Sequence, residues 1–195
     1  GCVGVLIGFE TLDPEALRAM RKSFNAMKSG YDGALKMLAR HGVSVYGTFV
    51  FGYGAYRADA FAEAAEFAIA RNFYIAAFNH LTPFPGTPLY ERLRREGRLI
   101  YDRWWLDERY RYNDLPFRPE GAAPEDIRAG CLSARRKFYG LASIGRRALA
   151  PAMRAHGVML RAYLPINLTH RAELSMRDRF PLGDPQWRGA FLKVA

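Results

Sequence analysis

Asn-His-Leu-Thr-Pro-Phe-Pro-Gly-Thr-Pro-Leu-Tyr, residues 79 to 90, follows the apolar run from Phe73 to Phe78. Three prolines and one glycine fix an unusual backbone where a parallel strand would end, and parallel α/β proteins gather their ligands at such ends. Two earlier runs end in a similar way, in Gly-Phe-Glu at 8 to 10 and in Phe-Gly-Tyr-Gly at 51 to 54. The repeated design predicts three parallel strands whose carboxyl ends face one another.

The intervening patterns support that reading. Residues 3 to 9 form a continuous apolar run with glycine, as in a strand covered on both faces. Asp13-Pro14-Glu15 supplies an N-cap, a first-turn proline and a first-turn acid, so a helix starts there and buries Leu17, Met20 and Phe24. A second helix is expected over 31–41, with Ala34, Leu35 and Leu38 inward and Gly42 as its stop. The next strand is expected over 43–51, a third helix over 59–71, a third strand over 73–81 and a short charged helix over 88–97. The spacing implies right-handed crossovers and a sheet with one functional end. With no partners on either side, both sheet edges would be open, so the sheet should continue in further chain.

After Tyr101 the pattern changes. Residues 102 to 119 carry Trp104, Trp105, Tyr110, Tyr112 and Phe117 among charges and read as an irregular covering loop, whose aromatics are expected to anchor it rather than line a pocket. Pro124-Glu125-Asp126 begins a long helix expected to reach about Ala150. Beyond it, Pro151, Pro165, Pro181 and Pro185 imply helix fragments. The division is therefore 1–100 for the strand-helix unit and 101–195 for the loop and a basic, mainly helical extension.

The chain has 195 residues, is half hydrophobic and carries a net charge of +10. It is large enough for a core. Residues 121–195 hold 13 Lys or Arg against 5 Asp or Glu, whereas 1–120 hold 16 against 14. The surplus in the extension suits an anionic surface, another part of the same protein, or plain solvent. Cys2 and Cys131 argue against a disulfide framework and fit a reducing cytoplasm. The four histidines, His41, His80, His156 and His170, lack metal-site spacing, and His80 alone stands at a predicted strand end. No apolar run reaches the roughly 18 residues of a transmembrane helix. The first residues include no starting Met and run directly into a strand, so the chain is expected to be a piece of a longer protein.

Glu10 ends an apolar strand, where a carboxylate needs a donor. Lys22, on the following helix, would return a positive charge to the same place. The pair suits a ligand with sugar hydroxyls and a carboxylate, although an ordinary salt bridge explains it equally. Glycines at 47 and 52 would let the backbone approach a planar ligand, with Phe51 or Tyr53 to stack on it; a tight turn explains Gly52 as well. No phosphate-binding glycine loop is present.

Taken in order, GVLIGFETLDPEALRAMRK, GTFVFGYG and HLTPFPGTPLYERL resemble the second half of the radical S-adenosylmethionine barrel, over residues 1 to about 100. The resemblance is to the branch with an upstream cobalamin-binding domain, which includes methyltransferases. It implies the carboxyl-terminal half of a (β/α)6 partial TIM-like barrel, strands four to six. It also implies that Glu10 meets the ribose or amino group of S-adenosylmethionine and that Lys22 meets its carboxylate. Phe51, Gly52 and Tyr53 would pack on adenine, and the backbone of Leu81, Thr82, Pro83 and Phe84 would read its edge. None of these residues is catalytic.

Two departures stand out. The acid often found just after the fifth-strand glycine is displaced to Asp59. The CxxxCxxC loop that binds the 4Fe-4S cluster is absent, so the cluster ligands and any cobalamin domain lie outside this chain and the piece alone should be inactive. The implied partners are the rest of the polypeptide, an electron donor, and a small-molecule, lipid or tetrapyrrole-like substrate. Peripheral membrane contact is compatible with the basic extension, whereas nucleic acid is not expected. Two alternatives remain: a radical enzyme resembling the transfer-RNA methylthiotransferases, and a non-catalytic α/β scaffold that binds a nucleotide or a partner.

Overall fold

The β-strands of the computed structural model, β1 (Gly4–Glu10), β2 (Ser44–Phe51) and β3 (Ile75–His80), form one parallel sheet in sequence order. Residues 1–20, 30–151, 155–176 and 180 are described. Helices α1 (Pro14–Ala19) and α2 (Gly30–Arg40) connect β1 to β2, and α3 (Ala60–Ala70) connects β2 to β3. Then follow α4 (Pro88–Arg95), α5 (Pro124–Phe138), α6 (Leu141–Ala148) and α7 (Gly157–Met176), which makes seven helices among the described residues. Local chemistry sets the starts. Asp13 accepts the Glu15 N–H at 2.8 Å ahead of Pro14, and Thr87 accepts the Tyr90 N–H ahead of Pro88.

Side chains alternate across the sheet. One face carries Phe9, Phe49 and Phe78 in a row across the three strands, with ring centroids 5.5 and 5.4 Å apart. All three are buried, and each such ring contributes about 2 kcal/mol by leaving water. The alanines Ala64, Ala65 and Ala68 let α3 approach this face, and Gly130 lets α5 approach α3: a Cβ there would stand 2.6 Å from the Phe61 ring. The opposite face holds Leu6, Tyr46 and Ile75 in register, and Leu6 is 64% exposed. Parallel sheets are ordinarily covered on both faces, so this side calls for further covering. The described unit is an open three-stranded sheet, and three strands do not establish the six-stranded partial barrel.

The expectation of two open sheet edges is corrected at β3. Its outer edge is bonded by side chains. Arg135 Nε donates to the Phe78 carbonyl at 3.0 Å, and the Tyr139 hydroxyl donates to the Ala76 carbonyl at 2.9 Å while accepting its N–H at 3.3 Å. Just before β3, Arg147 Nη1 donates to the Phe73 carbonyl at 2.8 Å, and Asn167 donates to Tyr74 at 3.2 Å. β1 pairs with no described strand on its other side.

The single helix expected to reach Ala150 is two. The chain breaks at Gly140, whose extended backbone starts α6, and the Ser143 hydroxyl takes up the Phe138 carbonyl at 2.7 Å. Breaking there turns Arg147 inward. It is 0% exposed and meets no carboxylate; it donates to Phe73, Phe138 and Asn167 oxygens and lies 3.8 Å from the centroid of the Phe138 ring. Burial draws its pKa down, against the opposing pull of the Tyr163 and Tyr139 hydroxyls. Pro165 sits inside α7 rather than ending it. Pro165 and Arg161, whose carbonyl loses its donor, are both exposed, so water can replace the missing bond.

Cys131 is buried in α5, and burial pushes its thiol up to about 12, whereas Cys2 is exposed. A thiol reagent at neutral pH should therefore modify one cysteine in the folded chain and both after unfolding. Two fast-reacting thiols in the native protein would contradict this packing. No described helix is long and apolar enough to cross a membrane.

Candidate functional site

The carboxyl ends of all three strands open on the same side. At the first, Phe9, Glu10 and Thr11 make a three-residue turn: the Thr11 N–H donates to the Phe9 carbonyl at 2.8 Å and Glu10 has φ 62°. That is the strained γ-turn, uncommon for a residue with a side chain. The pairing register with β2 slips between Gly8 and Glu10, so the chain bulges there. Bulges re-aim side chains. The Glu10 carboxylate folds back over Gly8, where a Cβ would come within 2.9 Å of its Oε1 and 3.7 Å of the Thr48 hydroxyl. Glu10 thus stands on the uncovered face of the sheet, at its carboxyl end.

At the second strand end, Phe51 turns its ring into the core, stacked on Phe61 at 4.4 Å between centroids. Of the two rings expected to stack on a planar ligand, Phe51 therefore turns away from the strand end, and Tyr53 borders the clefts beside it. Gly52 and Gly54 follow with φ of 95° and 74° and carry the chain round Tyr53. This backbone is the reason for glycine at both positions. Two open clefts flank the turn. One lies between it and Thr11, Asp13 and Ala16; the other lies between it and Leu81, Leu89, Arg92 and Arg98. Asp59, the displaced acid, is bound to Arg57 at 2.8 Å beyond the turn.

Gly47 serves packing rather than ligand approach. A Cβ on it would lie 2.3 Å from the Phe73 ring and 3.2 Å from that of Phe9.

At the third strand end, the Leu81 N–H donates to the Phe51 carbonyl at 2.7 Å, which ties the β2 and β3 ends together. His80 Nδ1 is 3.2 Å from the Leu81 carbonyl, as expected of a neutral, Nδ1-protonated ring, and burial lowers its pKa. Pro83 is fully buried, and its carbonyl accepts the Trp104 indole N–H at 2.9 Å. Phe84 is 59% exposed, edge-on to Trp104, with its carbonyl held by Thr87. Among Leu81, Thr82, Pro83 and Phe84, Thr82 is the residue whose backbone N–H and C=O both lack a partner among the described residues. Of the four positions expected to read a ligand edge, Thr82 is the one left able to do so with both groups.

Of the aromatics of 101–119, three anchor the loop as expected, whereas Tyr112 is exposed and borders a cleft. Trp104, Tyr110 and Phe117 are buried, and the backbone at 98–100 pairs with 116–118. Of the extension, Pro119, Glu120 and Ile127 border the first of the two clefts beside the Gly52 turn. α7 starts at the opposite end of the sheet, where the Met159 carbonyl accepts the Tyr74 hydroxyl at 2.8 Å. Its second half, with α5, borders a cleft against the uncovered sheet face, between Tyr46, Ile75 and Ala77 on one side and Arg135, Tyr139 and His170 on the other. The sequence did not mark Arg135 or Tyr139 for this place, because helix periodicity gives no sign of a bond to a strand edge. Lys22 lies outside the described residues.

No family model matches the chain. It is 29% identical over 147 residues to the bacteriochlorophyllide d C-12(1)-methyltransferase of Chlorobaculum tepidum, a match covering 75% of this chain and 31% of that protein. It is 32% identical over 98 residues to the hopanoid C-2 methylase of Rhodopseudomonas palustris, covering 50% and 18% respectively. A 25% match over 104 residues to the bacteriochlorophyllide d C-8(2)-methyltransferase of Chlorobaculum tepidum covers 53% and 23%. These relatives are methyltransferases, and the chain spans about a third of their length or less.

Proposed function

We propose that this chain is the cofactor-positioning half of a radical S-adenosylmethionine methyltransferase whose remaining parts lie elsewhere in the parent protein. The observation that carries the proposal is the strained, bulged Glu10 turn beside the Gly52–Gly54 turn, in a chain whose relatives are methyltransferases. Strain of this kind persists where surrounding structure holds a functional geometry.

Each residue has a stated part. Glu10 accepts hydrogen bonds from the ribose hydroxyls or the amino group. Gly52 and Tyr53 offer backbone to the adenine face, and Thr82 offers an N–H and a C=O to its edge. Lys22 is assigned to the carboxylate on the resemblance alone. When bound, S-adenosylmethionine supplies a methyl group on a sulfonium; the chain's share is orientation and exclusion of water. The cysteines do not fit a 4Fe-4S cluster. Cys131 is buried within α5, Cys2 is exposed at the start of the chain, and no group of three metal-binding side chains occurs among the described residues. The cluster and a cobalamin are therefore assigned to the rest of the parent. The cleft on the sheet face, with the apolar Ile75 and Ala77 beside Arg135 and Glu173, suits a largely apolar substrate with polar groups, in the tetrapyrrole or lipid range.

The test is equilibrium binding of S-adenosylmethionine to the full-length parent. Glu10→Ala removes a charge-assisted acceptor and should weaken binding by about 10-fold or more. Unchanged affinity would remove the basis of the assignment.

A further inference from the structure

Helix α7 devotes one side to the fold and leaves leucines on the other. Tyr163 and Asn167 are buried, with Tyr163 bonded to the Ile144 carbonyl and Asn167 to Arg147. On the outer side Leu160, Leu164 and Leu168 are 45%, 51% and 45% exposed. Their spacing of four residues makes them one row along the helix. On α6, Leu141 and Leu149 are also exposed.

Arginines border this row: Arg161 and Arg171 on α7, and Arg136 on α5, which shares a shallow groove with Leu168 and Arg171; Arg146 is exposed on α6, which packs on α7. Arg161 and Arg171 donate to the backbone carbonyls of Gly157 and Tyr139. Among the described residues, none of the four forms an ion pair with a carboxylate. The one acid on α7, Glu173, is half-buried beside His170.

We propose that this face docks on an anionic lipid surface. The leucine row enters the boundary between headgroups and acyl chains, and the four guanidinium groups lie at the level of the lipid phosphates. Charge complementarity chooses this occupant. Arginines whose apolar stems run beside a leucine row keep their charged heads at an interface, and a bilayer supplies apolar depth and anionic cover together. Because no described helix can cross a membrane, the contact is interfacial. The docking does not depend on the reaction the parent performs.

The experiment is flotation of the full-length protein with vesicles of phosphatidylcholine alone, or with about one-third phosphatidylglycerol, in roughly 0.1 M salt. The expected result is a partition about 10²-fold higher onto the anionic vesicles, lost at high salt. Leu164→Glu with Leu168→Glu should abolish flotation with the unfolding midpoint unchanged, and Arg161→Gln with Arg171→Gln should lower it about 10-fold. Failure of the full-length protein to float with anionic vesicles overturns the proposal. A fall in unfolding midpoint for the leucine variant also overturns it, since the face would then be covered by the protein's own chain. A shift from dimer to monomer in light scattering does the same, making the occupant a second copy.

Discussion

Replacing Arg147 with methionine lowers the unfolding free energy by about 3 kcal/mol, the result expected when several buried acceptors lose one donor. The guanidinium joins Phe73, Phe138 and Asn167, and so ties β3 to α5 and α7. Methionine fills the volume but leaves the Phe73 carbonyl and the Asn167 amide oxygen without a donor in a dry interior, where each unbonded group costs about 1 to 3 kcal/mol, while the Phe138 carbonyl keeps only Ser143. Against this stands relief from burying a cation without a counterion. The acceptors outweigh it, because the charge is already held by carbonyl dipoles and by the Phe138 ring. Arg147→Lys keeps the charge but cannot span the same acceptors, so it too should be destabilised. The urea midpoint measures both, and a methionine variant as stable as the parent would show that the network contributes nothing net.

Gly47→Ala is expected to cost about 3 kcal/mol, the upper range for overpacking a filled core. Its Cβ would stand 2.3 and 2.5 Å from two atoms of the Phe73 ring. That ring is 0% exposed and already held against Phe9 and Phe67, so it cannot swing aside. Shortening the obstacle should rescue the variant. Gly47→Ala with Phe73→Leu should be more stable than the sum of the single changes by about 1 kcal/mol. If Gly47→Ala instead left stability intact and weakened cofactor binding, the glycine would serve ligand approach.

What could be read from the sequence was local. The apolar runs marked all three strands, and Asp13-Pro14-Glu15 and Pro124-Glu125-Asp126 marked helix starts because such signals act within a few residues. The strand ends were found for the same reason. The choices made by distant packing were hidden. Gly47 owes its identity to a ring 26 positions later, and Phe51 turns inward because Phe61 stacks on it. An acid at position 10 announced a polar strand end, but nothing in its side chain announces a φ of 62°. Arg147 was counted with the basic extension as surface charge, because composition does not tell an arginine in water from one among carbonyls. Gly140 looked tolerable inside a long helix, and only the packing of α6 makes it a break.

The sheet has a direction of growth. At the β3 margin Tyr139 and Arg135 stand on Ala76 and Phe78, whereas β1 has no described strand on its other side. A strand that completes this sheet is therefore expected on the β1 side, which gives the molecule a finished wall and a receiving wall. One receiving wall also limits accidents. Two copies meeting there would consume each other's free margin and stop as a pair, whereas a sheet receptive at both sides could add copies without end.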